Sequence, residues 1–391
     1  ITYSITKNKM ITANPQYTTK RICSLMVTHS CNLHCVYCFE KYKSKGLKFM
    51  SLNTAQKILN KEFEDFSNKD RLPSDRLAIE FFGGEPLLNF DLIQNIYEWT
   101  DSLNLTFPLI FQLTTNGTLF TDNMLHWFAE RIEGFRIVVS IDGDDYMQYI
   151  NRGCDFKKIP IDYIAKNWKN SYFKMTVSQE TLPYYSKGII DLSLKGYKVP
   201  SSLAEGIVWN QEDATIYKNE LMKIARFYLK HPEFEPDQPF DYSFSKLLSP
   251  LNIPPKNCGV GTDILIYDTD GISYPCHLFL PIVHGQNEVE RILKDIDFHD
   301  DASLINDKCR KCLISNICRT CYGYNQIDRG NPQNRNLSKC KMQLAEAQVI
   351  SSFQIQYYIA KKEHLTANEV LKLKAAIKCY ELVHNNVFNF N

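Results

Sequence analysis

Along the first 230 residues, short apolar runs alternate with longer segments whose apolar positions recur at helical spacing. Ile22 to Val27 reads as a buried strand. A helix capped by Ser51 or Asn53 follows, with Ala55, Leu59, Phe63 and Phe66 on its apolar face. Leu77 to Phe82 predicts the second strand, with a helix starting near Asn89. Leu109 to Thr114 predicts the third, with Thr121 capping the next helix, and Phe135 to Ser140 the fourth. Tyr172 to Val177 reads as strand five, and Thr181-Leu182-Pro183 opens a helix reaching about Lys195. Ala204 to Trp209 is expected as strand six, with Asp213 to Lys230 as its helix. Six β/α units in alternation imply an α/β fold, a parallel sheet with helices outside.

Past residue 230 the pattern changes. Prolines at 232, 236, 239, 250, 254 and 255 argue against a long helix and place a boundary near 235–255. A cysteine-rich region then runs from 258 to 340. Within it, Ile264 to Tyr267 and Ile272 to Tyr274 flank Asp268-Thr269-Asp270-Gly271, a hairpin signal that would bring Cys258 and Cys276 together. Two helices close the chain, Met342 to Lys362 and Thr366 to about His384. The expected organisation is a barrel-type domain over 1–235, a linker over 236–257, a cysteine-rich domain over 258–345 and terminal helices over 346–391. Residues 1–20 read as a strand or arm, and Lys41 to Lys48 as a basic connector.

The net charge of +1 over 391 residues excludes an obvious polyanion binder, so no nucleic-acid partner is expected. No apolar run reaches the length of a membrane span. The opening Ile1-Thr2-Tyr3-Ser4-Ile5 is not a signal peptide and lacks an initiator Met, so further residues are expected upstream. Thirteen cysteines clustered largely as C-x-x-C pairs, without an export signal, fit metal sites in a reducing cytoplasm better than disulfides. Cys23, Cys154 and Cys379 stand outside the clusters and read as buried structural thiols.

The chemistry begins at Cys31, Cys35 and Cys38, spaced C-x3-C-x2-C just after the first strand. Soft thiolates at this spacing suit an iron–sulfur cluster, and three ligands leave one iron open. A zinc knuckle or buried cysteines is the competing reading. Gly83-Gly84-Glu85-Pro86 follows the second strand; alone it would be a turn and a helix start. Together the two motifs resemble the radical S-adenosylmethionine (SAM) superfamily over roughly residues 20–230. The resemblance implies a partial (β/α)6 TIM barrel with SAM bound at the strands' C-terminal ends. It implies Tyr37 beside the adenine, and Gly83, Gly84, Glu85 and Pro86 at the methionine amino group. Asn116, Ser140 and Asp142 would meet the ribose hydroxyls and the carboxylate, and Arg152 would meet the carboxylate. For each of these four, turn chemistry is the plainer alternative.

Cys258, Gly271, Cys276, then Cys309, Cys312, Cys318, Cys321 and finally Cys340 are similar to the seven-cysteine SPASM domain, with two zinc sites as the alternative. That likeness implies two auxiliary [4Fe–4S] clusters, three in all. Cys309, Cys312, Cys318 and Cys340 would hold the outer one, and Cys258, Cys276 and Cys321 the inner one, a ligand short. The gap between Cys318 and Cys321 is two residues where the family's is three, which weakens the ligand role of Cys321. Members of the group act mostly on peptides or proteins. The leading expectation is a maturase of a ribosomally made precursor peptide, installing a crosslink of thioether type. The alternatives are an anaerobic sulfatase-maturing enzyme oxidising Ser or Cys to formylglycine, and a non-catalytic electron-transfer iron–sulfur protein. For the sulfatase alternative His277 stands where that group has an acidic base. An electron donor such as flavodoxin or ferredoxin is implied. About twenty residues before the first strand are too few for a winged-helix leader-binding module, which leaves leader recognition to the barrel, the terminal helices or a separate protein.

Overall fold

The computed structural model describes residues 10–39, 48–361 and 365–388. The elements run β1 (Thr18–Thr28), α1 (Leu52–Asn68), β2 (Asp75–Gly83), α2 (Phe90–Ser102), β3 (Leu109–Thr115), α3 (Asp122–Arg131) and β4 (Phe135–Ser140). Then come α4 (Asp145–Arg152), α5 (Ile161–Asn167), β5 (Tyr172–Val177), α6 (Tyr185–Leu194), β6 (Ser201–Leu203) and α7 (Gln211–Lys230). The remainder holds β7 (Ile264–Tyr267), β8 (Ser273–Tyr274), α8 (Pro281–His284), α9 (Gln286–Asp295), α10 (Asp307–Arg310), α11 (Tyr322–Arg329), α12 (Ser338–Ala360) and α13 (Ala367–Asn385). Of the expected arm and basic connector, residues 1–9 and 41–47 lie outside the described residues, as does Lys362 at the end of the first terminal helix.

One eight-stranded sheet has the order β6-β5-β4-β3-β2-β1-β7-β8, parallel throughout except between β7 and β8. Alternation sorts its two faces. Cys23, Leu25 and Val27 pack with Ala55, Leu59 and Phe63 of α1 in the main core. The opposite, concave face carries Ser24, Glu80, Gln112 and Arg136 in one register row and pairs Ser140 with Lys174. Each of the seven parallel strands delivers its C-terminal end, and the loop after it, to the same edge.

Three places differ from the sequence reading. Strand six is Ser201–Leu203 rather than Ala204 to Trp209. After Ala204 bonds to Val177, Gly206 turns at φ +74°, and a Cβ there would lie 2.5 Å from the ring of Tyr324. The chain therefore leaves the sheet to meet the cysteine-rich region. Helices α4 and α5 fill a stretch read without helices; α4 is capped by the Asp144 side chain and stopped by Gly153 at φ +65°. The hairpin β7–β8 forms around Gly271 as expected, yet β7 pairs with β1 and so continues the barrel sheet. This covers the backbone groups of what would be an open edge.

The Pro-rich connector holds no helix longer than a single turn at Ser245–Leu247. Helix α12 begins four residues earlier than expected and packs with α7 and α13 in the main core, through Met342, Val349, Phe353, Ala375 and Val383. Cys23, Cys154 and Cys379 are buried, and none of the thirteen cysteines is in a disulfide. No helix among the described residues is long and apolar enough to cross a membrane.

Candidate active site

The loop after β1 lies directly against the end of β2. Gly84 N–H donates to the Thr28 carbonyl at 3.0 Å, and Glu85 N–H to the Ser30 carbonyl at 2.8 Å. A Cβ on Gly84 would stand 2.3 Å from the Ser30 oxygen and 2.9 Å from Cys31 Cβ; one on Gly83 would stand 2.5 Å from the Thr28 oxygen. The two glycines are thus required by the approach of two backbones. Within the loop, Cys38 N–H donates to the Cys35 carbonyl at 3.0 Å and Leu33 N–H to Cys31 Sγ at 3.4 Å. All three thiols are half-buried on one short loop over the sheet edge. That donor set fits an iron–sulfur cluster with one side left open.

Glu85 is 1% exposed. Its Oε1 accepts from Thr115 Oγ1 at 2.6 Å and Leu87 N–H at 3.1 Å, and its Oε2 from Asn116 N–H at 2.8 Å. Burial raises its pKa, and those three donors hold the rise in check. Glu85 therefore fastens β2 to β3 beneath the loop. Asn116 reaches the loop itself, donating from Nδ2 to Asn32 Oδ1 at 2.9 Å. Pro86 opens a short turn and is buried.

Tyr37, Asp142 and Arg152 form a second cluster. Asp142 is fully buried and accepts from Arg152 Nε at 2.9 Å and Nη2 at 3.2 Å, from Asn151 Nδ2 at 3.2 Å, from Thr176 N–H at 2.8 Å and from the Tyr37 hydroxyl. The Arg152 guanidinium also sits 5.5 Å from the Tyr37 ring centroid. Burial and the Asp142 charge push the Tyr37 hydroxyl well above its ordinary pKa. The arginine expected at a ligand carboxylate is thus held bidentately by Asp142 in this structure, and Ser140 stands beside it on the concave face.

His277 lies below this edge. Its Nε2 is 3.2 Å from Ser24 Oγ and 3.5 Å from Glu80 Oε2, while Ser24 Oγ donates to Glu80 at 2.7 Å. Its ring lies tilted against Phe82, 3.6 Å between centroids. Burial works against the Glu80 carboxylate, but its bonds to His277 and Ser24 outweigh it and lower the pKa. The sequence reading missed Ser24 and Glu80, although strand alternation places both on the concave face. It also missed the pair His29–Asp268, 2.5 Å apart and buried, which ties the end of β1 to the hairpin.

In the C-terminal region Cys309, Cys312, Cys318 and Cys340 line one cavity of about 250 Å³. Burial first, then the Cys318, Cys309 and Cys312 thiols, push the Cys340 thiol up to about 12. Cys276 is raised by burial and by Cys321 and Cys258, so these three form a separate set. Cys321 is pushed up to about 12 by burial and by Glu205. Cys321 thus stands near Cys276 and Cys258 and does not line the cavity of the other four thiols. No three His, Cys, Asp or Glu side chains among the described residues converge closely enough to hold a single metal ion.

A family described as a 4Fe-4S single cluster domain matches residues 20–144. An uncharacterised protein of Methanocaldococcus jannaschii is 30% identical over 183 residues, 44% of this chain and 59% of its own length. The radical SAM cyclopropyl synthase TigE of Paramaledivibacter caminithermalis is 27% identical over 184 residues, 43% of this chain and 38% of its own. The chain thus spans less than two thirds of these two relatives. A cysteine-type anaerobic sulfatase-maturating enzyme of Clostridium novyi is 23% identical over 337 residues, 74% of this chain and 84% of its own. The chain is thus similar to radical SAM enzymes, a sulfatase-maturating enzyme among them. Solved structures carry the same fold. AnSMEcpe with bound AdoMet and Cp18Cys peptide superposes with a TM-score of 0.66 at 17% identity, over 89% of this chain and all of that one. Streptococcus suis SuiB bound to precursor peptide SuiA gives 0.51 at 15% identity, over 81% of this chain and 74% of that one.

Proposed function

We propose that this radical SAM protein is a peptide maturase that installs a thioether crosslink in a ribosomally made precursor. Cys31, Cys35 and Cys38 would hold the SAM-cleaving [4Fe–4S] cluster, and the other seven motif cysteines would hold two auxiliary clusters. When bound, the first cluster supplies the electron that splits SAM into methionine and a 5′-deoxyadenosyl radical. The protein's part is to seat and confine. The Gly83-Gly84 approach fixes the loop, Glu85 and Asn116 brace the ledge under the methionine end, and Tyr37 flanks the adenine. Asn116, Ser140 and Asp142 would meet the ribose and carboxylate, with Arg152 released from Asp142 toward the carboxylate when SAM is in place.

The observation that carries the thioether reading is the difference in thiol number between the two auxiliary sets. Cys258, Cys276 and Cys321 are three, which leaves a position for a substrate thiolate and would lower that thiol's pKa. The substrate gives one hydrogen atom to the 5′-deoxyadenosyl radical, one thiol proton to a base and one electron to an acceptor. The product therefore lacks two hydrogens. Coexpression with a cysteine-containing precursor encoded beside this gene, followed by mass spectrometry, tests it. A product lacking two hydrogens and resistant to thiol alkylation is expected; an unmodified precursor sinks the reading.

One observation favours a second reading, formylglycine formation. His277 beside Glu80 is a carboxylate-backed imidazole on the concave face, suited to accept a proton. In that case the same spectra show an aldehyde, trapped by a hydrazide, in place of a crosslink. In both readings a small electron-transfer protein such as flavodoxin or ferredoxin is the implied partner.

A further inference from the structure

The concave face of the sheet has two walls of different charge. On the β1–β2 wall the one carboxylate, Glu80, is engaged by Ser24 at 2.7 Å and faces His277 at 3.5 Å. On the β4–β5 wall stand Arg136, Val138 and Ser140 of β4 with Tyr172 opposite Val138 and Lys174 opposite Ser140, while Phe135, Ile137 and Val139 turn into the helix-covered core. Neither the Arg136 nor the Lys174 side chain has a hydrogen bond or ion pair among the described residues, and the two carboxylates that act on Lys174, Asp142 and Glu80, are bound to other groups. Asp142 is closed by Arg152, Asn151, Thr176 and Tyr37, and Glu80 by its own partners. Lys174 is nonetheless reached by water, which marks it as the wall of an open concavity rather than a core residue. Enclosure by protein and the nearby Arg152 charge lower its pKa, as befits an ammonium without a counter-ion.

We propose that the β4–β5 wall, with Lys174 as the contact, binds a carboxylate of the peptide substrate: an acidic side chain close in sequence to the modified residue. This rests on the peptide-maturase reading. The geometry gives the site its use. A carboxylate held at Lys174 sets the substrate across the concavity from His277 and beneath the edge where Ser140 and Asp142 stand. Unlike an apolar wall, an ammonium without a protein counter-ion favours a carboxylate over an uncharged side chain. SAM also carries a carboxylate, so the test has an arm for each source.

The peptide arm uses a displayed library of random twelve-residue peptides with one fixed central Cys, selected on the reconstituted protein with S-adenosylhomocysteine present. Wild type is expected to enrich Asp and Glu near the Cys severalfold. Lys174→Met should lose that enrichment, and Lys174→Glu should replace it with Lys and Arg. The ligand arm measures S-adenosylhomocysteine affinity by calorimetry, where Lys174→Met is expected to match wild type. Equal iron content and melting temperature in the variants show that they fold. Acidic enrichment that survives both substitutions, or peptides selected with no charge preference, overturns the inference while leaving the maturase reading intact. A tenfold loss of S-adenosylhomocysteine affinity in Lys174→Met with unchanged peptide selection assigns the lysine to SAM and also overturns it. Failure of wild type to enrich any peptide overturns both.

Discussion

Two groups of thiols in this chain are built in opposite ways. Cys31, Cys35 and Cys38 come from one loop, are half-buried, and rest on the end of a parallel sheet through backbone contacts with Gly84 and Glu85. Cys309, Cys312, Cys318 and Cys340 come from α10, the turns after it and the first turn of α12, and they close around a cavity. Read as cluster ligands, the first three would be one too few, beside a ledge of backbone contacts; the second four would be a full set without such a ledge. An incomplete ligand set on a rigid platform is suited to chemistry on a bound molecule, and a complete one to moving electrons and stapling the fold. The set of Cys258, Cys276 and Cys321 shares the incompleteness of the first and the location of the second.

The largest predicted break in this contrast is Gly84→Ala. The added methyl falls on the Ser30 carbonyl and cannot be absorbed by a side-chain rotation, so the loop must move. A misplacement on the order of an ångström should lower SAM cleavage about a hundredfold, measured as 5′-deoxyadenosine released per minute, while iron at the four-thiol cavity stays. Glu85→Ala comes next. It removes the acceptor of three donors in a buried place, at roughly 1.5–3 kcal/mol for bonds to a charged group. SAM affinity should fall about ten- to a hundredfold, with a lower melting temperature at unchanged iron content; SAM binding equal to wild type would contradict the ledge. Cys340→Ser should remove the iron of the outer cavity and lower the melting temperature, because it frees the start of α12, yet leave 5′-deoxyadenosine formation in place. Loss of SAM cleavage in that variant would erase the contrast.

The smallest effect is expected at Arg335. Its side chain is 8% exposed, lines the four-thiol cavity and has an Nε without a hydrogen-bond partner. A cation there favours the more negative, reduced state of a thiolate-bound cluster. Arg335→Met should lower that cluster's potential by about 60 mV or less, up to a tenfold change for one electron, in a redox titration followed by electron paramagnetic resonance.

Much of this was legible in the sequence, and for local reasons. Strands two to five follow from apolar runs bounded by turn residues, and strand five, Tyr172–Val177, matches to the residue. The expected cysteine grouping comes from the resemblance to the SPASM domain rather than from spacing. What was not legible depends on long-range contacts. Ser201–Leu203 is a strand because β5 offers an edge there, and the more apolar Ala204 to Trp209 is drawn off by Tyr324. The β7–β8 hairpin reads as a local unit, but nothing local says that it completes the sheet beside β1. The Asp142–Arg152 pair joins residues ten apart through a turn and a helix, so their contact was not legible in the sequence. Glu80 and Lys174 look like ordinary strand residues until the register puts them on the same concave face.

The central claim is that the barrel loop, and not the auxiliary thiols, carries the SAM-cleaving site. The direct measurement is 5′-deoxyadenosine formation, with iron counted in parallel, by anaerobically reconstituted wild type and the Cys31→Ala, Cys35→Ala, Cys38→Ala triple variant, each reduced in the presence of SAM. Wild type should form 5′-deoxyadenosine, and the variant should lose about four irons, keep the rest and form none. Product from the triple variant, or a wild type that takes up zinc and no iron, would contradict the account.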